Sequence, residues 1–142
     1  MLCDGADVDF QDYNEEVLKE VCCLNVLVNC PNTPSAVRYF SGDWGSLAAC
    51  TGKVYDVILT AETIYDDKSS GRLIACIDDI LKPDGVAYIA AKSYYFGVGG
   101  STRQFEAQVA KLLPRRKLEQ VALIQDGSSN VREILRLSPE VA

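Results

Sequence analysis

The groups in this sequence best suited to chemistry are acids placed directly after apolar, β-branched runs. The run Tyr55 to Thr60 leads into Thr60-Ala61-Glu62-Thr63-Ile64-Tyr65, where a carboxylate and a phenol stand three residues apart. A carboxylate just past a buried strand is costly unless it meets a ligand or a partner, or unless the loop leaves it in water. Asp12 follows the run Val8 to Gln11, where it can accept both hydroxyls of a ribose or cap the next helix. Asp43 and Trp44 follow Ala36 to Ser41. That acid, or its neighbouring amide, can bond the amine and ring edge of an adenine, with the indole as an apolar wall; a lone tryptophan can equally anchor a core. Lys92-Ser93-Tyr94-Tyr95-Phe96 runs into Gly97-Val98-Gly99-Gly100, so three aromatics before a flexible loop can line a substrate channel. The Gly-x-Gly-Gly alone carries little weight as a phosphate cradle, and it follows the wrong strand for that.

Several chemistries are excluded outright. The chain has 142 residues and no histidine, which removes Ser-His-Asp triads, Cys-His pairs, imidazole metal sites and any histidine base. Six cysteines, Cys3, Cys22, Cys23, Cys30, Cys50 and Cys76, show no CxxC pattern and no metal-ligand spacing, so no metal is expected. They read as reduced, mostly buried thiols of a cytoplasmic or nuclear protein, in keeping with the lack of a signal peptide, a long apolar run or a lipidation motif. The net charge of −6 is concentrated in residues 1–30, which hold seven acids and one base. Such a surface disfavours nucleic acid and favours a basic protein partner, although a solvated acidic helix start accounts for it as well.

The candidate residues need a scaffold, and the pattern supplies one. Hydrophobic residues make up 48% and charged residues 24%, as in a globular domain. Val17, Leu18, Val21, Leu24 and Val28 recur at helical spacing over about 14–28, before Pro31 and Pro34. A strand is expected over 36–41, a short helix over 46–50, and a strand over 55–60 that is covered on both faces. A helix follows over 67–81, with Lys82-Pro83-Asp84-Gly85 as the turn that stops it, and then a strand over 86–91 that is again apolar on both faces. A helix capped by Ser101 or Thr102 runs to about Leu113, and strands over 117–124 and 130–137 form a hairpin around Asp126-Gly127-Ser128-Ser129. The alternation predicts an α/β fold: a doubly wound, mostly parallel sheet with helices on both faces and a C-terminal antiparallel hairpin. Such a layout points to the Rossmann-like class I methyltransferase architecture, here with six strands rather than seven.

Four segments in order resemble the protein-histidine methyltransferase family: Asp9-Phe10-Gln11-Asp12-Tyr13-Asn14, Phe40-Ser41-Gly42-Asp43-Trp44, Asp56 through Tyr65, and Lys92 through Gly100. Glu62-x-x-Tyr65 is also similar to the acid-x-x-aromatic signature of the wider protein lysine and histidine methyltransferases. The resemblance spans about residues 5–137. It implies transfer of a methyl group from S-adenosylmethionine to an imidazole nitrogen of a protein histidine, in a basic large-subunit ribosomal protein. It also implies that Gln11, Asp12 and Tyr13 hold the ribose region, Gly42, Asp43 and Trp44 the adenine, and Thr60 and Ala61 the methionine side, while Glu62 and Tyr65 face the substrate.

The family's first strand and its Gly-rich loop are not found in these residues. The expectation is therefore an incomplete methyltransferase domain over 1–142, N-terminally truncated, that binds S-adenosylmethionine weakly or not at all. A lysine methyltransferase of the same group, or an inactive remnant serving as an interaction module, are the alternative readings.

Overall fold

The computed structural model describes residues 2–125 and 131–140. They fall into two compact units, Met1–Gly52 and Lys53–Ala142.

In the first unit, β1 (Val8–Asp12) and β2 (Val37–Ser41) pair in parallel, Val8 opposite Val37 and Asp12 opposite Ser41. Cross-strand partners reinforce the register: Arg38 forms an ion pair with Asp9, and Phe10 stacks on Tyr39 with ring centroids 5.5 Å apart. The crossover is one helical run of three parts, α1 (Glu15–Val17), a π-helical turn (Leu18–Cys22) and α2 (Cys23–Asn29). The expected helix is present, but only Leu18 of its apolar set is buried; Val21, Leu24, Leu27 and Val28 are exposed. The π turn accommodates one extra residue and so rotates the later apolar positions away from the face that Leu18 occupies. The helix α3 (Trp44–Thr51) is longer than the 46–50 expected, because Asp43 caps it and Gly52 closes it in the left-handed conformation, φ 59°.

In the second unit, a four-stranded sheet runs β3–β4–β6–β5, with β3 (Tyr55–Ala61) and β4 (Leu81–Lys92) parallel. The strands β5 (Arg116–Ile124) and β6 (Arg132–Pro139) form the antiparallel hairpin. Its expected turn at 126–129 lies outside the described residues. Helix α4 (Asp67–Ile80) starts where the Asp66 carboxylate accepts from Lys68 N and Ser69 N, both at 2.9 Å. Helix α5 (Thr102–Leu112) starts at Ser101, whose Oγ accepts from Gln104 N at 3.2 Å. Leu73, Ile74 and Ile77 of α4, Phe105 and Val109 of α5, and Ala87, Ile89, Leu135 and Leu137 of the sheet are buried together. Each large apolar side chain so buried contributes about 1.5–3 kcal/mol.

Four details depart from expectation. Strand β3 is not covered on both faces: it ends the sheet, and Leu59 is 64% exposed. Likewise only alternate residues of β4 are buried, because α4 and α5 pack together against one face of this unit's sheet. The Lys82–Gly85 turn signal lies inside β4 as an irregularity of register, where Asp56 alone opposes residues 82–85. The chain closes there so tightly that a Cβ on Gly85 would lie 3.0 Å from the carbonyls of Tyr55 and Asp56. Among the described cysteines, Cys22, Cys23, Cys50 and Cys76 carry no disulfide, but Cys30 is disulfide-bonded, which corrects the expectation of reduced thiols throughout. Cys76 is buried, Cys22 and Cys23 are half-buried and Cys50 is exposed.

No helix among the described residues is long and apolar enough to cross a membrane. The same residues contain no group of three or more His, Cys, Asp or Glu able to hold a metal ion.

Candidate active site

In the first unit, the parallel register brings the ends of β1 and β2 side by side, with Gln11 opposite Phe40. The Gln11 amide spans the two segments that follow β2: Nε2 donates to the Gly42 carbonyl at 2.7 Å, and Oε1 accepts from Trp44 Nε1 at 3.0 Å. Gly42 N donates to the Asp12 carbonyl at 3.1 Å, and the φ of +119° at Gly42 suits glycine alone. Trp44 is half-buried with its N–H satisfied, so its indole sits at the strand ends rather than deep in a core.

The two acids separate. Asp12 is half-buried and accepts from Asn14 N at 2.8 Å, an Asx turn; Asn14, rather than Asp12, occupies the cap position of α1. Asp43 does cap α3, accepting from Gly45 N at 2.8 Å. Tyr13 is 73% exposed. The sequence-predicted set Gln11, Asp12, Gly42, Asp43 and Trp44 is thus brought together, with Tyr13 at its edge.

In the second unit, Thr60 and Ala61 line a concavity of about 410 Å³ with Leu59, Tyr88, Ala90 and Ile134. Its apolar wall and size suit a small organic molecule. The Thr60 and Thr63 hydroxyls hydrogen-bond at 2.7 Å. Beyond them Glu62 turns the chain: its N–H donates to the Ala90 carbonyl at 2.8 Å, and its φ of 56° is the one left-handed non-glycine value among the described residues. A glutamate held in that region stores strain, a feature that clusters at functional sites. Its exposed carboxylate faces Lys92, with Oε2 4.0 Å from Nζ. Tyr65 is 46% exposed, and Ile64 between them is fully buried, pinning the segment.

Lys92, which had no assigned role, and Tyr95, one of the three aromatics expected to line a channel, complete this corner. Tyr95 is buried, its hydroxyl accepts from Lys92 N at 3.2 Å, and its ring lies 5.5 Å from the Lys92 ammonium. Burial first, and then the Glu62 carboxylate, push the Tyr95 phenol above its usual range, against the Lys92 amide. Lys92 ends a strand just as Asp12 does, so the strand-end rule marks its position; Tyr95 stands in the aromatic run, and nothing local distinguishes it from its neighbours. The glycine loop is latched onto the segment: Gly100 N donates to the Tyr65 carbonyl at 3.0 Å, and Tyr95 N to the Gly100 carbonyl at 2.8 Å.

The fold is that of S-adenosylmethionine-dependent class I methyltransferases. The chain is similar to the N-methyltransferase NodS from Bradyrhizobium japonicum WM9, with a TM-score of 0.65 and 16% identity, covering 94% of this chain and 74% of that one. It is also similar to LepI solved in complex with SAM, with a TM-score of 0.55 and 11% identity over 95% of this chain and 43% of that one. The family model described as lysine methyltransferase matches residues 1–104, and the chain belongs to that family. A curated relative, the histidine protein methyltransferase 1 homolog of Dictyostelium discoideum, is 40% identical over 141 residues, covering 99% of this chain and 45% of the relative. The chain spans less than half the length of the curated relatives it matches.

Proposed function

We propose that this chain carries the cofactor-facing and substrate-facing residues of a protein-histidine methyltransferase that uses S-adenosylmethionine. The observation that carries the reading is Glu62, an exposed carboxylate held in left-handed backbone at the end of β3, beside Lys92 and the exposed Tyr65. The names of the curated relatives support histidine as the acceptor.

When bound, S-adenosylmethionine supplies an electrophilic methyl group on a sulfonium, which an incoming nitrogen takes in line while the sulfur keeps the bonding pair. Orientation does most of the work in such a displacement, and no covalent nucleophile is needed. In the first unit the half-buried Asp12 suits ribose hydroxyls, and the Trp44 indole with the Gly42–Asp43 backbone suits an adenine; in the second, Thr60 and Ala61 at the end of β3 are the residues the resemblance assigns to the methionine side. Gln11 holds Gly42 and Trp44 in place, and Tyr13 flanks the ribose region.

On the substrate side, imidazole has a reference pKa of about 6.5 and is largely neutral at pH 7. Glu62 accepts the N–H of one ring nitrogen, fixes the tautomer and leaves the other nitrogen's lone pair to attack. Tyr65 shapes the approach. The substrate in this reading is a basic large-subunit ribosomal protein, which the acid excess of residues 1–30 favours. The thiols of Cys22, Cys23 and Cys50 favour the cytoplasm or nucleus, where a disulfide such as that of Cys30 is the exception.

The description of the family model favours lysine as a second reading. That acceptor must first lose a proton with a reference pKa near 10.4. The test combines the chain, labelled S-adenosylmethionine and a large-subunit ribosomal protein fraction, followed by amino-acid analysis. Methylhistidine is the expected product. Methyllysine establishes the second reading, and no labelled product with no heat of cofactor binding leaves an inactive interaction module.

A further inference from the structure

The face of the sheet that Glu62 overlooks carries more positive than negative charge. Lys92 at the end of β4 stands directly opposite Arg132 at the start of β6. Directly opposed residues of an antiparallel pair send their side chains to the same face, with Cβ atoms about 4.5–5.5 Å apart. The neighbouring acid does not neutralise them: Glu133 is in register with buried Ala91, on the other face, where it accepts from the Ser93 hydroxyl. Of these two cations, Lys92 is the one paired with a carboxylate, that of Glu62.

Lys92 is also held in place. Its ammonium lies 4.0 Å from Glu62 Oε2 and 5.5 Å from the Tyr95 ring centroid. That ring is fixed in turn, because Tyr95 is 7% exposed and its hydroxyl accepts from the backbone N–H of Lys92 itself. The carboxylate beside it is a poor receiver for a further ammonium, which would enter next to the Lys92 ammonium. It also accepts from the Tyr95 hydroxyl, and it keeps room for a neutral N–H because a carboxylate has about four lone-pair sites.

We propose that Lys92, seated on Tyr95 and paired with Glu62, is a specificity-determining residue that makes this corner accept a neutral imidazole and reject a lysine ammonium. The inference rests on the reading of Glu62 as the substrate-facing acid, and it separates the two acceptors that the family match and the relatives' names leave side by side.

The test uses two basic peptides that differ only in having His or Lys at the target position. Wild type is expected to favour the histidine peptide in kcat/KM, and Lys92→Met to narrow that preference by about tenfold, the scale of one like-charge contact near a surface. Lys92→Arg, which keeps the charge, retains the preference; a loss of packing alone slows both peptides without moving their ratio. A second readout is independent of turnover: the ratio of the two peptides' binding affinities by calorimetry, which narrows in Lys92→Met and stays in place in Lys92→Arg. Unmoved ratios in Lys92→Met, in a wild type that methylates histidine, overturn the role of Lys92 and leave the reaction standing. Preference for the lysine peptide by wild type, or transfer to neither, overturns the reading of Glu62 and this inference with it.

Discussion

Gly100 lies so close to Tyr65 that a Cβ there would stand 2.4 Å from the Tyr65 carbonyl carbon and 2.3 Å from the oxygen of Ile64. The backbone of the glycine loop can touch the backbone after β3 only because position 100 has no side chain. The contact keeps Glu62 and Tyr95 in one corner, since the same loop carries both the Gly100 N–H to Tyr65 and the Tyr95 N–H to Gly100. Gly100→Ala should push the loop away at a cost of about 1–3 kcal/mol, typical of an overpacked site. Urea unfolding measures it; an unchanged midpoint contradicts the close approach.

Gln11→Ala tests the cluster at the ends of β1 and β2 in the first unit. It strands the Trp44 N–H and the Gly42 carbonyl at once, two half-buried groups that now share one amide. Each unsatisfied group costs about 1–3 kcal/mol when fully buried, and less here. Trp44 fluorescence should shift as the indole loses its partner, and calorimetry should show weaker S-adenosylmethionine binding wherever wild-type binding is measurable. An unshifted emission spectrum argues that the amide does not hold the ring.

Glu62→Gln should lower the rate of methyl transfer by about tenfold or more, while cofactor affinity stays within twofold, because a neutral amide fixes the imidazole tautomer less well than a charged acceptor. Tyr95→Phe should lower it less. Rates equal to wild type for Glu62→Gln would remove the acid from the reaction.

Asp66 gives the second unit an acid-sensitive helix start. Hydrogen bonding from Ser69, side chain and then backbone, holds its carboxyl below the usual range, and burial opposes this. The folded value lies below the unfolded one, near 3.9, so the stabilisation is complete above about pH 4 and fades as the pH falls through the folded value. Asp66→Asn should keep the cap and flatten this acid limb, and Asp66→Ala should cost about 1 kcal/mol at neutral pH. Thermal melts between pH 3 and 7 distinguish them.

Phe105 is 1% exposed and sits under the α4–sheet layer. Phe105→Ala should destabilise the second unit by about 3–5 kcal/mol through lost burial and a residual cavity. A loss below about 1 kcal/mol would mean that this core collapses around the gap.

Much of this was legible because the signals are local. Ser101 announces α5, and Leu73, Ile74, Ile77 and Ile80 mark the inner face of α4 by spacing alone. The ends of β1, β2 and β3 are set by the same strand-to-turn boundaries that brought Asp12, Asp43 and Glu62 forward as candidates. What escaped is set by partners far along the chain. Lys92 meets Glu62 across thirty residues and Arg132 across forty, and Tyr95 differs from Tyr94 only in facing inward. Val57 and Leu59 spell an interior strand, yet they border a sheet that has no further strand beyond β3 among the described residues. The π turn at Leu18–Cys22 leaves no mark in an apolar pattern that continues through it.

The border at β3 has a practical side. A row of backbone donors and acceptors flanked by Val57 and Leu59 is a template onto which another extended chain can zip, and such edges seed precipitation. The net charge of −6 keeps molecules apart at neutral pH and vanishes as the carboxylates protonate. Handling of this protein should therefore be governed by concentration and acidity together: dilute neutral solutions stay clear, and concentrated, mildly acidic ones cloud before the chain unfolds.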